Sequence, residues 1–256
     1  HSDCYGDLLT RQGEAAAMVL YDSQIQALRR FREITKELEL DCGQIETPAI
    51  LYGRTREELN AIEAEKVAYR KLGIPFQEVI IPFEAGSGTA VADQIGFNAA
   101  RYVHGLAEYL SGKGVRIYEH SQVEDQLNFQ DGHPRVLANG QWTIDASHVI
   151  IASGYPAIDD GARFDFRLVP QRSQALAWPV EALRDGMYIS QGEPIRSVRY
   201  APGAMNWLVI AGESHRVGFE SDPVGRQAAL ASFAREEFGV GEPAYTWSAQ
   251  DYRTAD

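Results

Sequence analysis

The sequence predicts an α+β fold, and three observations predict it. Helical periodicity is confined to four segments, Gly13–Leu38, Thr55–Leu72, Asn98–Lys113 and Asp222–Phe238, in the order α-β-α-β-α, then many strands, then α-β, with no repeating βαβ unit. From Val115 to Tyr155 the chain reads as a meander of short strands with Asp131-Gly132 and Asn139-Gly140 at the turns, dipeptides that tolerate the positive φ of tight hairpins. From Asp165 onward, long alternating runs rich in aromatic residues predict an antiparallel sheet.

Taken in order, Gly13–Leu38 is rich in Ala, Leu, Arg, Glu and Gln, with Ile25, Leu28, Phe31, Ile34 and Leu38 on one side, so it is expected to pack on a sheet. Ile45–Tyr52 reads as a strand. Thr55-Arg56-Glu57-Glu58 is a capping box that starts a helix ending at Leu72-Gly73. Phe76–Ile81 is a short strand, and Glu84–Ala92 a small-residue loop holding Gly86-Ser87-Gly88; without a following Lys-Ser/Thr this is not a phosphate loop. Asn98 opens a helix whose apolar stripe is Ala99, Tyr102, Val103, Leu106, Ala107 and Leu110.

The meander divides into Val115–Glu119, Val123–Phe129, Arg135–Leu137, Trp142–Ile144 and His148–Ala152. The run Val149-Ile150-Ile151-Ala152 does not alternate, which predicts a strand covered on both faces. It breaks into Ser153-Gly154, small residues that leave room for a ligand at a strand's carboxyl end. Further strands are expected at Asp165–Trp178, Met187–Ser190, Ile195–Ala201 and Asn206–Ala211, the last two joined as a hairpin through Pro202-Gly203. Asp222-Pro223 starts the fourth helix, Phe238-Gly239 ends it, and Tyr245–Ser248 is a final strand.

At 256 residues the chain has room for one domain or two. Its composition, 45% hydrophobic and 23% charged, is that of a soluble globular protein, and no apolar run approaches a membrane span. A net charge of −12 spread along the sequence argues against nucleic acid, which calls for clustered Lys and Arg. Cys4 and Cys42 lack metal-ligand spacing and no secretory signal is evident, so free thiols and a cytoplasmic location are expected. His104, His120, His133 and His148 are too scattered for a metal site. No G-x-S-x-G elbow exists, and Ser214 beside His215 cannot form a productive pair, which excludes the common hydrolase arrangement.

The segment Gly-Val-x-Ile-Tyr-Glu-x-Ser-x-Val, a hairpin excursion, and Ala-x-x-Val-Ile-Ile-Ala-Ser-Gly resembles the middle of the FAD-dependent oxidoreductases of the D-amino acid oxidase family. The pattern is that of the branch with glycine and sarcosine oxidases, γ-glutamylputrescine oxidase and flavoproteins fused to Rieske domains. The resemblance runs from about Leu40 to the end, through Phe166–Trp178, Gly186–Ser190, Arg196–Tyr200, Leu208–His215 and Tyr245–Asp256. It implies oxidation of an amine or amino-acid C–N bond by hydride transfer to FAD, in which the cofactor carries the reaction and no acid–base set need be obvious. The alternative from a different class is a non-catalytic ligand- or protein-binding module of the same architecture.

The resemblance also implies residues and a division. Val123 matches the position whose backbone holds the adenine, and Ala152, Ser153 and Gly154 match the strand end lining the ribose and pyrophosphate. Arg172, Tyr188, Arg199 and Trp207 are candidates for the substrate side, where an arginine would hold a carboxylate in a bidentate fork. Residues 1–40, 92–163 and 247–256 would form part of a Rossmann-like FAD-binding domain. They would be braided with a substrate-binding domain, an antiparallel sheet flanked by helices, of residues 41–91 and 164–246. A G-x-G-x-x-G fingerprint is absent, so the chain reads as an internal fragment, inactive alone, that does not retain FAD and self-associates through its flavin-facing surface.

Overall fold

The structure, a computed structural model, describes residues 5–83, 86–130, 133–155, 167–219 and 222–254, with the backbone alone over 125–130. Its centre is an eight-stranded sheet. In chain order the elements are α1 (Tyr5–Glu37), β1 (Ile45–Gly53), α2 (Arg56–Leu72), β2 (Gln77–Ile80), β3 (Ser87–Gly96), α3 (Ala99–Gly112), β4 (Val123–Gln130), β5 (His133–Ala138), β6 (Trp142–Asp145), β7 (Leu168–Val180), β8 (Met187–Ser190), β9 (Arg196–Ala201), β10 (Asn206–Arg216), α4 (Pro223–Phe238) and β11 (Tyr245–Thr254). The large sheet runs β11-β7-β10-β9-β8-β1-β3-β2. All its neighbours are antiparallel except β1 and β8, which pair in parallel from Ala49↔Met187 to Tyr52↔Ser190. The strands from Leu168 on pair antiparallel as expected, and the parallel pairing of β1 with β8 makes the whole sheet mixed.

Local signals fixed the ends of α2 and α4. Thr55 accepts the Glu58 amide while the Glu58 carboxylate accepts the Thr55 amide at 3.0 Å, the reciprocal capping box, and Gly73 closes the helix in the left-handed region. Asp222 caps α4 through the Gly225 amide, Pro223 sits at its first position and Gly239 ends it. α4 lies against one sheet face, where Leu230, Phe233 and Ala234 meet Leu176, Trp178, Tyr188, Val198, Leu208 and Ile210, all buried. Each fully buried side chain of this kind contributes about 1.5–3 kcal/mol.

The opposite face carries α1. Gly13 adopts φ 84°, ψ 178°, so the helix breaks there into a short piece from Tyr5 and a longer one to Glu37. The expected helix of Gly13–Leu38 is thus the second piece, and the first was not foreseen. Tyr5 and Ala17 pack with Ala68, Tyr69, Leu72 and Ile74, tying α1 to α2.

Three further expectations need correction. Glu84–Ala92 is not a loop from its fourth residue on, because Ser87 begins β3 and pairs with Gly53. The glycines serve close approach: a Cβ at Gly88 would collide with the Leu51 carbonyl, and one at Gly86 would lie 2.8 Å from the Gly53 carbonyl. The meander forms its own sheet, β4-β5-β6, turning at Asn139 (φ 51°) and Gly140 (φ 66°); Asp131-Gly132 lies outside the described residues. However, Val115–Glu119 and His148–Ala152 are not strands. A strand exists only against a neighbour, and among the described residues neither segment has one, so Ile150 stays 89% exposed where burial on both faces was expected.

α3 begins at Asn98, whose side chain accepts the Arg101 amide. Its apolar stripe is only lightly covered: Phe31 and Phe97 pack on Tyr102, Leu40 approaches Gly105, and Val103 and Leu110 remain exposed. Cys42 is a buried free thiol, and Cys4 lies outside the described residues. Among the described residues no helix is long and apolar enough to cross a membrane.

Candidate active site

Strand alternation sorts the candidate side chains between the two faces of the large sheet. Tyr188 pairs with Val198, and Val198 with Ile210, a row that points into the core under α4. The Tyr188 ring lies 5.1 Å from Phe83 and its hydroxyl donates to the Asp185 carbonyl at 2.6 Å, burial holding it in the neutral form by raising its pKa. Arg172 shares that face by alternation with Leu176 and reaches Gln250 Oε1 at 3.1 Å, at the exposed β7–β11 edge. Neither joins Arg199.

Arg199 and Trp207 do share a face, the one opposite α4. Met187, Arg199, Val209, Ala177 and Tyr245 stand in one cross-strand row, and Trp207 is paired with Ala201 beside it. Trp207 packs on Tyr245 with ring centroids 5.2 Å apart, and Tyr245 and Trp247 are otherwise largely exposed. Arg199 is exposed and has no hydrogen-bond or ion-pair partner among the described residues. The arrangement is a bare sheet face with one unengaged guanidinium and an aromatic flank.

On the β1–β8 side, α1 roofs this face over a cavity of about 220 Å³, lined by Tyr5, Tyr21, Gln24, Leu51, Met187 and Ile189 among others. Sequence reasoning missed this wall. It is anchored by Glu65, nearly fully buried, whose carboxylate accepts the amides of Tyr5 at 2.9 Å and Gly6 at 2.7 Å. Burial raises the Glu65 pKa against the lowering effect of those bonds, and burial with the nearby Glu65 charge pushes the Tyr5 phenol up to about 12. Tyr5 donates to Gln24 Oε1 at 2.7 Å, fixing the roof's first turn to its second piece. Only the break at Gly13 hinted at this in sequence.

The cofactor-side candidates lie on the meander. The Gln122 amide donates to Asn139 Oδ1 and its carbonyl accepts the Asn139 amide, both at 2.8 Å. Backbone groups alternate sides along a strand, so Val123 directs its N–H and C=O away from β5, to the free edge of a sheet in which β4 is outermost. A donor and an acceptor side by side on an open edge fit the edge of a purine base. Ala152, Ser153 and Gly154 form an exposed bend in which Ser153 donates to the Tyr155 carbonyl, and the space beside Gly154, at φ 74°, is open. Tyr155 stacks at 5.1 Å on Tyr252 of β11, bringing this bend to the edge of the large sheet. These residues fit a dinucleotide in kind: backbone polarity at one end, small residues at the other.

Comparison with known proteins gives the frame for this site. The model of the FAD dependent oxidoreductase (DAO) family matches residues 6–255. YhfW of Bacillus subtilis (strain 168), named for a Rieske 2Fe-2S iron–sulfur centre, is 28% identical over 262 residues, covering 100% of this chain and 51% of its own length. The chain thus spans about half of that relative. The crystal structure of glycine oxidase from Geobacillus kaustophilus superposes with a TM-score of 0.76 at 19% identity, over 90% of this chain and 66% of that one. Glycine oxidase from Bacillus cereus ATCC 14579 gives a TM-score of 0.76 at 13% identity, over 92% of this chain and 70% of that one. With nearly the whole of this chain matched by the family model and the mixed α+β fold shared with glycine oxidases, the chain belongs to the DAO family of FAD dependent oxidoreductases.

Proposed function

We propose that this chain forms the substrate sheet and part of the cofactor-binding wall of a flavoenzyme that oxidises the C–N bond of an amine or amino acid. The observation that carries the proposal is the pairing of an unengaged Arg199 with the aromatic flank Trp207–Tyr245 on the uncovered sheet face. FAD, when bound, would supply the two-electron acceptor for that oxidation. The chain's residues bind and orient. Arg199 holds a substrate carboxylate through its guanidinium fork, Trp207 and Tyr245 bound the site on one side, and α1, anchored by Glu65, keeps water from the other. Val123 would hold the adenine by its free-edge amide and carbonyl, with Ala152, Ser153 and Gly154 beside the ribose and pyrophosphate.

The proposed division assigns residues 41–91 and 164–246 to the substrate side and 1–40, 92–163 and 247–256 to the cofactor side. Two separate sheets support it, while α1, packed on α2, and β11, running along β7 for its full length, are the joints between the sides. A reducing, cytoplasmic compartment is proposed from the free Cys42 thiol. Arg199→Ala in the complete flavoenzyme is expected to raise KM for carboxylate-bearing amines by about tenfold or more, the loss of one charge-assisted fork, with thermal stability unchanged. Unaltered kinetics would remove Arg199 from the site.

A further inference from the structure

Next to the roofed cavity, and sharing Met187 with it, a second and larger cavity of about 620 Å³ opens at the end of the same sheet face. Its wall brings together three arginines remote in sequence, Arg101 from the first turn of α3, Arg184 from the β7–β8 connection and Arg199 from β9. Charged carboxylates near it are Asp185, on its wall, and Asp41, outside it. Asp41 pairs with Arg101, and Asp185 Oδ1 accepts the neutral Thr47 hydroxyl at 2.7 Å. Arg184 makes only a 3.3 Å bond to the Pro82 carbonyl, and neither Arg184 nor Arg199 has a carboxylate partner among the described residues. In a chain of net charge −12, three guanidiniums against two carboxylates, Asp41 and Asp185, make this cavity locally positive.

Two free guanidiniums on one cavity call for two negative groups. We propose that the substrate of this site is a diacid, an amine bearing one carboxylate held by Arg199 and a second anionic group held by Arg184. The inference rests on the substrate reading of Arg199 given above and adds the class of molecule. The alternative occupant of the same chemistry, free inorganic phosphate, is separated by the test.

The test titrates this chain calorimetrically at low ionic strength with glutarate, butyrate and inorganic phosphate. Glutarate is expected to bind at least about tenfold more tightly than butyrate, one additional charge-assisted contact, and more tightly than phosphate. Arg184→Gln is expected to abolish that preference while circular dichroism and melting stay as in the parent chain. Equal affinities for the two carboxylates, a preference for phosphate, or a preference that survives Arg184→Gln would overturn the proposal. Flavin bleaching by amines in the complete protein keeps the two readings apart. Selective glutarate binding without bleaching by any amine would defeat the oxidase reading and leave the dianion site standing, and bleaching indifferent to a second carboxylate would defeat the diacid proposal alone.

Discussion

Glu65 is the residue on which the roof of the site depends, and replacing it gives a test with a calculable size. In Glu65→Ala, the amides of Tyr5 and Gly6 lose their acceptor in a place that water reaches poorly. Each such charge-assisted bond contributes about 1.5–3 kcal/mol, so holding the native geometry unpaired would cost about 3–6 kcal/mol. The chain has a cheaper way out, because the break at Gly13 lets the short piece of α1 detach. Detachment gives up the edge-on contacts of Tyr5 with Tyr21 and Tyr69, at 6.2 and 6.0 Å, and the bond to Gln24. These contribute about 0.5–1.5 kcal/mol each, so the expected destabilisation is about 3 kcal/mol, read from urea unfolding at pH 7. Hydrogen exchange should rise at residues 6–12 and not in β7 or β10. The sign with pH is also fixed. Because Glu65 has a raised pKa in the folded chain, it favours the fold most below the unfolded value of about 4.3, and that contribution is lost as pH rises through its folded pKa. Glu65→Gln should remove this slope relative to the parent. A Glu65→Ala chain within about 0.5 kcal/mol of the parent, with residues 6–12 still protected, would refute the anchoring role.

Three other outcomes are expected. Glu58→Ala, which removes the acceptor of the Arg54 and Thr55 amides, should cost about 1 kcal/mol at pH 7. Its carboxyl is held below the usual range chiefly by the Arg54 amide, so this cost should shrink as pH falls from about 4.3 through the folded pKa, and urea midpoints at neutral and acid pH check it. This chain mixed with excess FAD and gel-filtered should elute without stoichiometric flavin absorbance, since a few bonds of about 1 kcal/mol each must overcome ~4–15 kcal/mol of lost freedom; a yellow protein peak would count against it. The chain alone is expected to self-associate in sedimentation velocity, and Ile150→Asp to reduce that association while changing stability by less than about 0.5 kcal/mol, because the side chain is 89% exposed; a monomeric parent chain, or association unchanged by the substitution, would refute the expectation.

The parts of the fold that were legible in sequence are those decided within a few residues. Thr55 and Glu58, Asp222-Pro223, Gly73 and Gly239 placed helix ends because a cap is satisfied locally, and Asn139-Gly140 placed a turn because few other residues adopt that backbone. The parallel pairing of β1 with β8 was not legible, since its partners, Ala49 and Met187, are brought together by the tertiary fold alone. Gly86 and Gly88 looked like loop residues because glycine weakens a strand; what requires them is the β1 backbone passing alongside. Val149–Ala152 shows the converse failure, where an apolar run predicted a strand covered on both faces and the described residues leave it without a strand neighbour and Ile150 89% exposed.

The site divides along the same line. Arg199 and Trp207 were readable as partners because a hairpin and strand alternation put them on one face, two local inferences in series. Tyr188 stands on the other parity from Arg199, in the row under α4, and this was not legible because Met187, Tyr188 and Ile189 are all apolar enough to be buried, so alternation cannot tell which parity meets α4 until the neighbouring strands are known. Glu65 was invisible for a stronger reason. In a helix rich in Glu and Lys, a buried carboxylate has the same local sequence as a solvated one. What distinguishes it is the pair of amides arriving from a segment 59 and 60 residues earlier in the chain. The same holds for the cluster of Arg101, Arg184 and Arg199, each an ordinary surface arginine in its own context and unusual only in company. What sets the cluster apart is tertiary: two of its guanidiniums, Arg184 and Arg199, are left without a carboxylate partner among the described residues around one cavity.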